Sequence, residues 1–167
     1  MSLQVERFIR DYLPRPQFLF RYDVFLPPGE FGNAELVGNR VIEVNIPMPE
    51  FSSEGTPIGN SKWYYSLNND IGSISMRVLE GEDGETINYF RKWQSRMVTE
   101  QGYHRVPLEY KRDVKIQLYS VDGKPTMLLT FKDYFPTRIE FPAISGESSD
   151  VLIYTVELSG DSVKISV

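Results

Sequence analysis

The residues able to do chemistry are few. His104 is the single histidine of the chain, and there is no cysteine. Ser95, His104 and Asp113 are of the right types for a nucleophile, a base and an orienting acid. They sit in no nucleophile elbow, and no spacing motif joins them. One imidazole is no metal site either, and the lack of cysteine removes disulfides, thiol catalysis and zinc thiolates. The acidic cluster Glu80 to Glu85 (E-G-E-D-G-E) lacks the alternating oxygen ligands and the closing bidentate Glu of a calcium loop. Asp83 instead reads as the N-cap of the helix that follows, with acids in the first turn suiting the helix dipole. The sequence therefore predicts no catalytic, cofactor-binding or metal-binding residues, and no enzyme.

The elements around these residues are mostly strands. Val5, Phe8, Ile9 and Tyr12 fall at helical spacing in a leader, residues 1–13, that Pro14 and Pro16 terminate; it reads as a docked arm or as a contact to a neighbouring subunit. A half-buried strand is expected over 17–26, with Phe18, Phe20, Tyr22 and Val24 on one face. A second follows near 40–46, where Ile42, Val44 and Ile46 share a face. Residues 47–62, with three prolines and two glycines, read as an extended loop or arm. Met48, Phe51 and Ile58 give that stretch apolar groups, for use against its own domain or against another subunit.

Strands are expected at 62–67 and 73–80, joined by a turn at Asn68-Asn69-Asp70. In the second, Ile74, Met76 and Val78 oppose Ser73, Ser75 and Arg77. One amphipathic helix is expected over 85–99, with Ile87, Phe90, Met97 and Trp93 or Gln94 near its apolar stripe, ended by Gly102. The clearest hairpin joins 111–121 to 126–134 through Asp122-Gly123. A last strand, 151–158, places Leu152, Tyr154, Val156 and Leu158 together, and the tail beyond Asp161 adds a possible edge strand.

Chain-wide properties bound the function. A length of 167 residues suits a single domain, 1–167, with one core. An aromatic content of 13%, mostly Tyr and Phe, favours sheet packing. No run nears the ~18 apolar residues of a membrane helix. The N-terminal residues carry no signal-peptide pattern, and a chain without cysteine fits a reducing cytoplasm. A net charge of −5 argues against nucleic-acid affinity built on phosphate neutralisation.

One ordered series carries a resemblance. It runs from the helix with Trp93-Gln94-Ser95 through the Gln101-Gly102 loop to Pro107-Leu108-Glu109-Tyr110-Lys111-Arg112. A strand, the Asp122-Gly123 turn, a second strand and Phe135-Pro136-Thr137 complete it. This series resembles the tail tube proteins of contractile-tailed bacteriophages, most strongly over Tyr89–Thr137 and more weakly from Phe18 to Leu158. The resemblance implies a mainly β fold: an antiparallel β-sandwich or barrel-like core with one flanking α-helix. It implies homohexameric rings whose strands complete a ring-wide β-barrel, stacked into the inner tube of a virion tail assembled in the host cytoplasm. Sheath and baseplate proteins would be its partners, with no membrane and no cofactor, and DNA would pass without specific binding. The same fold serves baseplate rings that initiate the tube and rings of type VI-like secretion systems. The chain departs from the family pattern at its leader and in a last strand without an aromatic-rich finish, so these alternatives stay open. Within such a ring, Met48, Phe51 and Ile58 are expected at inter-ring contacts. Ser73, Ser75 and Arg77 are expected on the lumen wall, which should be polar with zero or negative net charge.

Overall fold

A computed structural model describes residues 21–48, 50–58, 61–70, 72–143 and 151–166. The leader with Val5, Phe8, Ile9 and Tyr12, and Phe18 and Phe20 of the first expected strand, lie outside the described residues. So do the side chains of Phe51 and Ile58.

Among the described residues nine strands and three helices follow one another: β1 (Tyr22–Phe25), α1 (Ala34–Asn39), β2 (Val41–Asn45), β3 (Glu50–Ile58), β4 (Ser61–Asp70), β5 (Ile74–Leu79), α2 (Glu85–Ser95), α3 (Pro107–Tyr110), β6 (Arg112–Tyr119), β7 (Pro125–Glu140), β8 (Ile153–Ser159) and β9 (Ser162–Ser166). The fold is mainly antiparallel β, as expected. Strands β1, β6, β7, β8, β5 and β2 lie side by side in that order, and β9 also pairs with β7; β3 and β4 form a separate two-stranded sheet.

The 16-residue β7 organises the body. Its first half pairs with β6 on one edge and β9 on the other, and its second half pairs with β8. Between the halves Asp133 takes φ 60°, and a bulge follows between Pro136 and Arg138. Aspartate tolerates the left-handed region better than most side chains, and a bulge bends the strand that carries it. On the adjoining edge, β8 and β9 break at Gly160. A β-carbon there would overlap the Tyr134 ring, so only glycine lets the two strands turn together. The Phe135-Pro136-Thr137 series, expected to close the second hairpin strand near 134, lies inside β7 just past this corner.

The bend brings the two halves of the sheet face to face. Val24, Val114, Ile116, Leu129 and Phe131 from one half share a buried cluster with Ile74, Met76, Val78, Tyr154, Val156 and Leu158 from the other. Helix α2 closes an end of this core with Thr86, Tyr89, Phe90 and Trp93. Phe31 stacks on Trp93 at 5.2 Å between ring centroids, while the Trp93 Nε1–H donates to Tyr110 O at 2.6 Å. Such aromatic pairs add ~0.5–1.5 kcal/mol each beyond the area they bury.

Several boundaries differ from the sequence reading. Helix α2 ends at Ser95 rather than 99, because the chain turns back in a bridge between Val98 and His104, with Gly102 (φ 85°) at its tip. Helix α1 was not expected. Asn33 caps it by accepting from Leu36 N at 3.2 Å, a side-chain cap that fixes even a six-residue helix once Val37 is buried. In β2 an irregularity between Val41 and Glu43 moves Val41 into the core and leaves Ile42 outside.

The largest correction concerns residues 47–62. Residues 50–58 and 61–62 are strand rather than loop, which leaves the reading as an arm open. β3 and β4 pair over their whole lengths, from Glu50↔Asp70 to Ile58↔Ser61, and Asn68-Asn69-Asp70 belongs to β4 rather than to a turn. Three prolines and two glycines lowered the strand signal, yet of these Pro57 and Gly55 pair within the ladder, where a hairpin with no third strand among the described residues leaves half the backbone groups facing solvent.

Candidate functional site

Ser95, His104 and Asp113, set aside as a triad from the sequence, make separate contacts. Ser95 Oγ donates to Lys92 O at 2.7 Å within its own helix. Asp113 Oδ1 accepts from the backbone of Asp133 at 3.3 Å, beside the corner of β7. His104 is exposed on the Val98–His104 bridge. Among the described residues no group of three or more His, Asp or Glu could hold a metal ion, and no helix is long and apolar enough to cross a membrane.

The acidic cluster is a capping device. Glu80 accepts from Gly81 N at 3.0 Å and Ile87 N at 2.8 Å; Asp83 accepts from Glu85 N at 3.1 Å and holds Arg40 in a two-pronged ion pair at 2.7–2.8 Å. Gly84 takes the N-cap position itself, and Asp83 caps from one residue earlier. The Arg40 guanidinium, and then the Glu85 amide, hold the Asp83 carboxyl down at about 2, below its ordinary 3.8. The cluster thereby ties the start of α2 to the end of α1.

What remains is exposed sheet surface. In the half of the sheet formed by β2, β5, β8 and the second half of β7, cross-strand pairing sets residues in rows. Val44, Met76, Val156 and Ile139 form one row on the core side, and Glu43, Arg77, Thr155 and Glu140 one on the outward side. A second outward row holds Asn45, Ser75, Glu157 and Arg138. The outward face is thus polar, with three carboxylates against two guanidinium groups. Arg77 meets Glu43 at 2.8 Å and Arg138 meets Glu140 at 3.2 Å. Ser75 and Arg77 lie on this face as the alternation predicted, and Ser73 is exposed just before β5.

This four-stranded half has two unpaired edges. Among the described residues β2 pairs only with β5, and Phe135–Glu140 of β7 pairs only with β8. Beside the β2 edge, where β1 and β2 approach without pairing, lies an open groove of about 730 Å³ lined by Tyr22, Ile42, Val44, Ile46, Ile116 and Leu118 among others. Tyr22 Oη donates to Val41 O at 3.3 Å across the gap. Burial, and then the Glu43 carboxylate, raise the pKa of that phenol.

The β3–β4 hairpin is a second exposed element, inserted in the chain between β2 and β5, which pair with each other. The connection is tight: a β-carbon on Gly72 would stand 2.8 Å from the Pro47 ring. Pro47 also lacks an amide donor, which interrupts the ladder between ribbon and hairpin. Of the three expected contact residues, Met48 is 56% exposed in this neck, and Phe51 and Ile58 lie on β3.

Comparison with known proteins agrees in kind. The family of the T4-like virus tail tube protein gp19 matches residues 17–164. A chain of the sheath–tube complex of an extracellular contractile injection system (PVC), in its extended state, has the same fold with a TM-score of 0.69 at 16% identity, covering 99% of each chain. A chain of the PVC sheath/tube terminator gives 0.72 at 15%, covering 93% of this chain and 99% of that one. A chain of the anti-feeding prophage baseplate, 6-fold symmetrised, gives 0.65 at 15%, covering 92% and 97%. No curated protein matches the sequence.

Proposed function

We propose that this chain, which belongs to the T4-like virus tail tube protein family, works as the subunit of a homohexameric ring that stacks into the inner tube of a contractile tail. The observation that carries the reading is the pair of unpaired edges on one polar-faced, four-stranded half-sheet. Strand direction alternates from β2 through β5 and β8 to β7, so β7 of one subunit stands antiparallel to β2 of the next when copies follow head to tail. Closure by that pairing removes the exposed edges, which are the main hazard of an open sheet. Six copies would contribute four strands each, and smaller barrels of about 16–18 strands already enclose an aqueous channel.

The outward face then becomes the lumen wall. Ser75, Arg77, Glu43, Glu157, Arg138 and Glu140 would line it, with a slight acidic excess. A wall of unpaired cations would grip phosphate. Here Arg77 and Arg138 each have a carboxylate partner. A slightly acidic wall keeps a duplex away over about one Debye length, ~8 Å at physiological salt, which suits DNA that passes without specific binding. The chain itself then needs no catalysis and no cofactor. The β3–β4 hairpin, with Met48, Phe51 and Ile58, would reach the adjacent ring, while sheath and baseplate proteins meet the outer and end surfaces. Particles of this kind would be built in the host cytoplasm. A baseplate ring that initiates the tube, or a ring of an injection or type VI-like secretion system, would use the same closure, since a near-neutral wall also passes protein. Electron microscopy of the purified full-length chain tests the reading. Rings or tubes with an open lumen are expected, and a dispersed monomer at every concentration would overturn it.

A further inference from the structure

The two unpaired edges carry more than backbone groups. On the core side of the four-stranded half, the row Val44, Met76, Val156 and Ile139 runs from one edge to the other, and an exposed apolar side chain stands beside it at each edge. Phe141, directly after β7, packs on Tyr154 at 5.4 Å and is still 46% exposed; Ile42, on β2, is 45% exposed. They stand at opposite edges, three strand spacings or ~14 Å apart, so within one subunit neither can cover the other. The groove between β1 and β2 opens beside Ile42 and is lined by apolar side chains. Nothing in the described chain fills it.

From this we infer that the groove between β1 and β2 receives Ile139 and Phe141 of the neighbouring copy, with Phe141 as the anchor of the lateral contact. The inference rests on the ring reading and adds the residues that hold neighbours together. A second copy is the occupant that the sheet itself specifies. When β7 of one subunit adds to β2 of the next, the pleat keeps core-side residues on the core side, so Ile139 continues the row that ends at Val44, and Phe141, two residues on, falls beside Ile42 at the groove. An aromatic side chain in a desolvated pocket is the type of contact that dominates interface energy.

The absence of cysteine makes the contact open to a clean crosslinking test. One preparation carries Glu43→Cys and another Pro142→Cys, which leave Ile42 and Phe141 in place. A short thiol-to-thiol crosslinker should give dimers in the mixture and none with either preparation alone. Dimers from a single preparation would indicate a two-fold contact and overturn the inference. Phe141→Ala in the otherwise unmodified chain should raise the protein concentration needed for rings by at least about tenfold. Ile42→Ala, which leaves the packing on Tyr154 untouched, should act in the same direction. Rings that form without the crosslink, or that are indifferent to both alanine substitutions, would overturn this contact and leave the ring reading standing. An unmodified chain that never forms rings would remove both.

Discussion

The body and the hairpin are made of the same kind of strand and owe their order to different things. In the body, β5 alternates buried Ile74, Met76 and Val78 with outward Ser75 and Arg77, and every buried residue meets another element. The β3–β4 hairpin pairs only with itself, and its described side chains, from Ser53 to Pro57 and at Ser61 and Lys62, are mostly exposed. An isolated two-stranded hairpin is marginal in water. Core burial therefore holds the body in the single subunit, whereas among the described residues the hairpin is held by its own ladder, and the proposed stacking would add a neighbouring ring.

The sharpest way to break this contrast is to attack the core. Trp93→Ala removes the side chain that joins α2, Phe31 and Tyr110, and should destabilise the subunit by ~3–5 kcal/mol, measured by denaturant unfolding. A much smaller loss would mean that α2 is not integral to the body. At the corner of β7, Gly160→Ala forces a methyl group into the Tyr134 ring, with an expected cost of ~1–3 kcal/mol. If the cost vanished, the shared bend would not depend on that close approach.

The hairpin should behave in the opposite way. Replacing residues 50–70 by a short turn should change the stability of the body by ~0.5 kcal/mol or less while abolishing stacking of rings. Limited proteolysis should cut within 50–70 in free subunits and spare it in tubes, a signature of order gained on assembly. Equal protection in both states would erase the distinction between the regions.

Two smaller effects sharpen the boundary between structure and chemistry. The Asp83 carboxyl titrates lower in the folded chain than its ordinary value, so its contribution is complete at neutral pH and is lost as the medium is acidified from about 4 towards about 2. Asp83→Asn should flatten the acid limb of a stability-against-pH curve, by little because the pair is exposed. His104→Ala should shift stability by ~1 kcal/mol or less and leave assembly intact. A folded variant that fails to assemble would reveal a role for the imidazole.

The sequence by itself determined the local pattern. Period-two alternation placed Val114 and Ile116 of β6, Ile74, Met76 and Val78 of β5, and Tyr154, Val156 and Leu158 of β8 in the core, where all are buried. Asp122-Gly123 marked the β6–β7 connection, and the Trp93 region marked the one long helix. These features were legible because side-chain period and turn chemistry are properties of a few adjacent residues. The sequence held one readable trace of a hairpin, the dipeptide Gly-Asn at 59–60, a type that hairpin connections favour. The prolines and glycines of 47–62 outweighed it. Only the tertiary structure decided the rest. That β7 passes through Phe135-Pro136-Thr137 and serves both halves of the sheet depends on Asp133 and Gly160, 27 residues apart in sequence and brought together by pairing. That Val41 rather than Ile42 is buried depends on the irregularity opposite β5. Which edges stay unpaired, and which carboxylate meets Arg77, follow from strand order, and strand order is set by contacts between residues far apart in the chain.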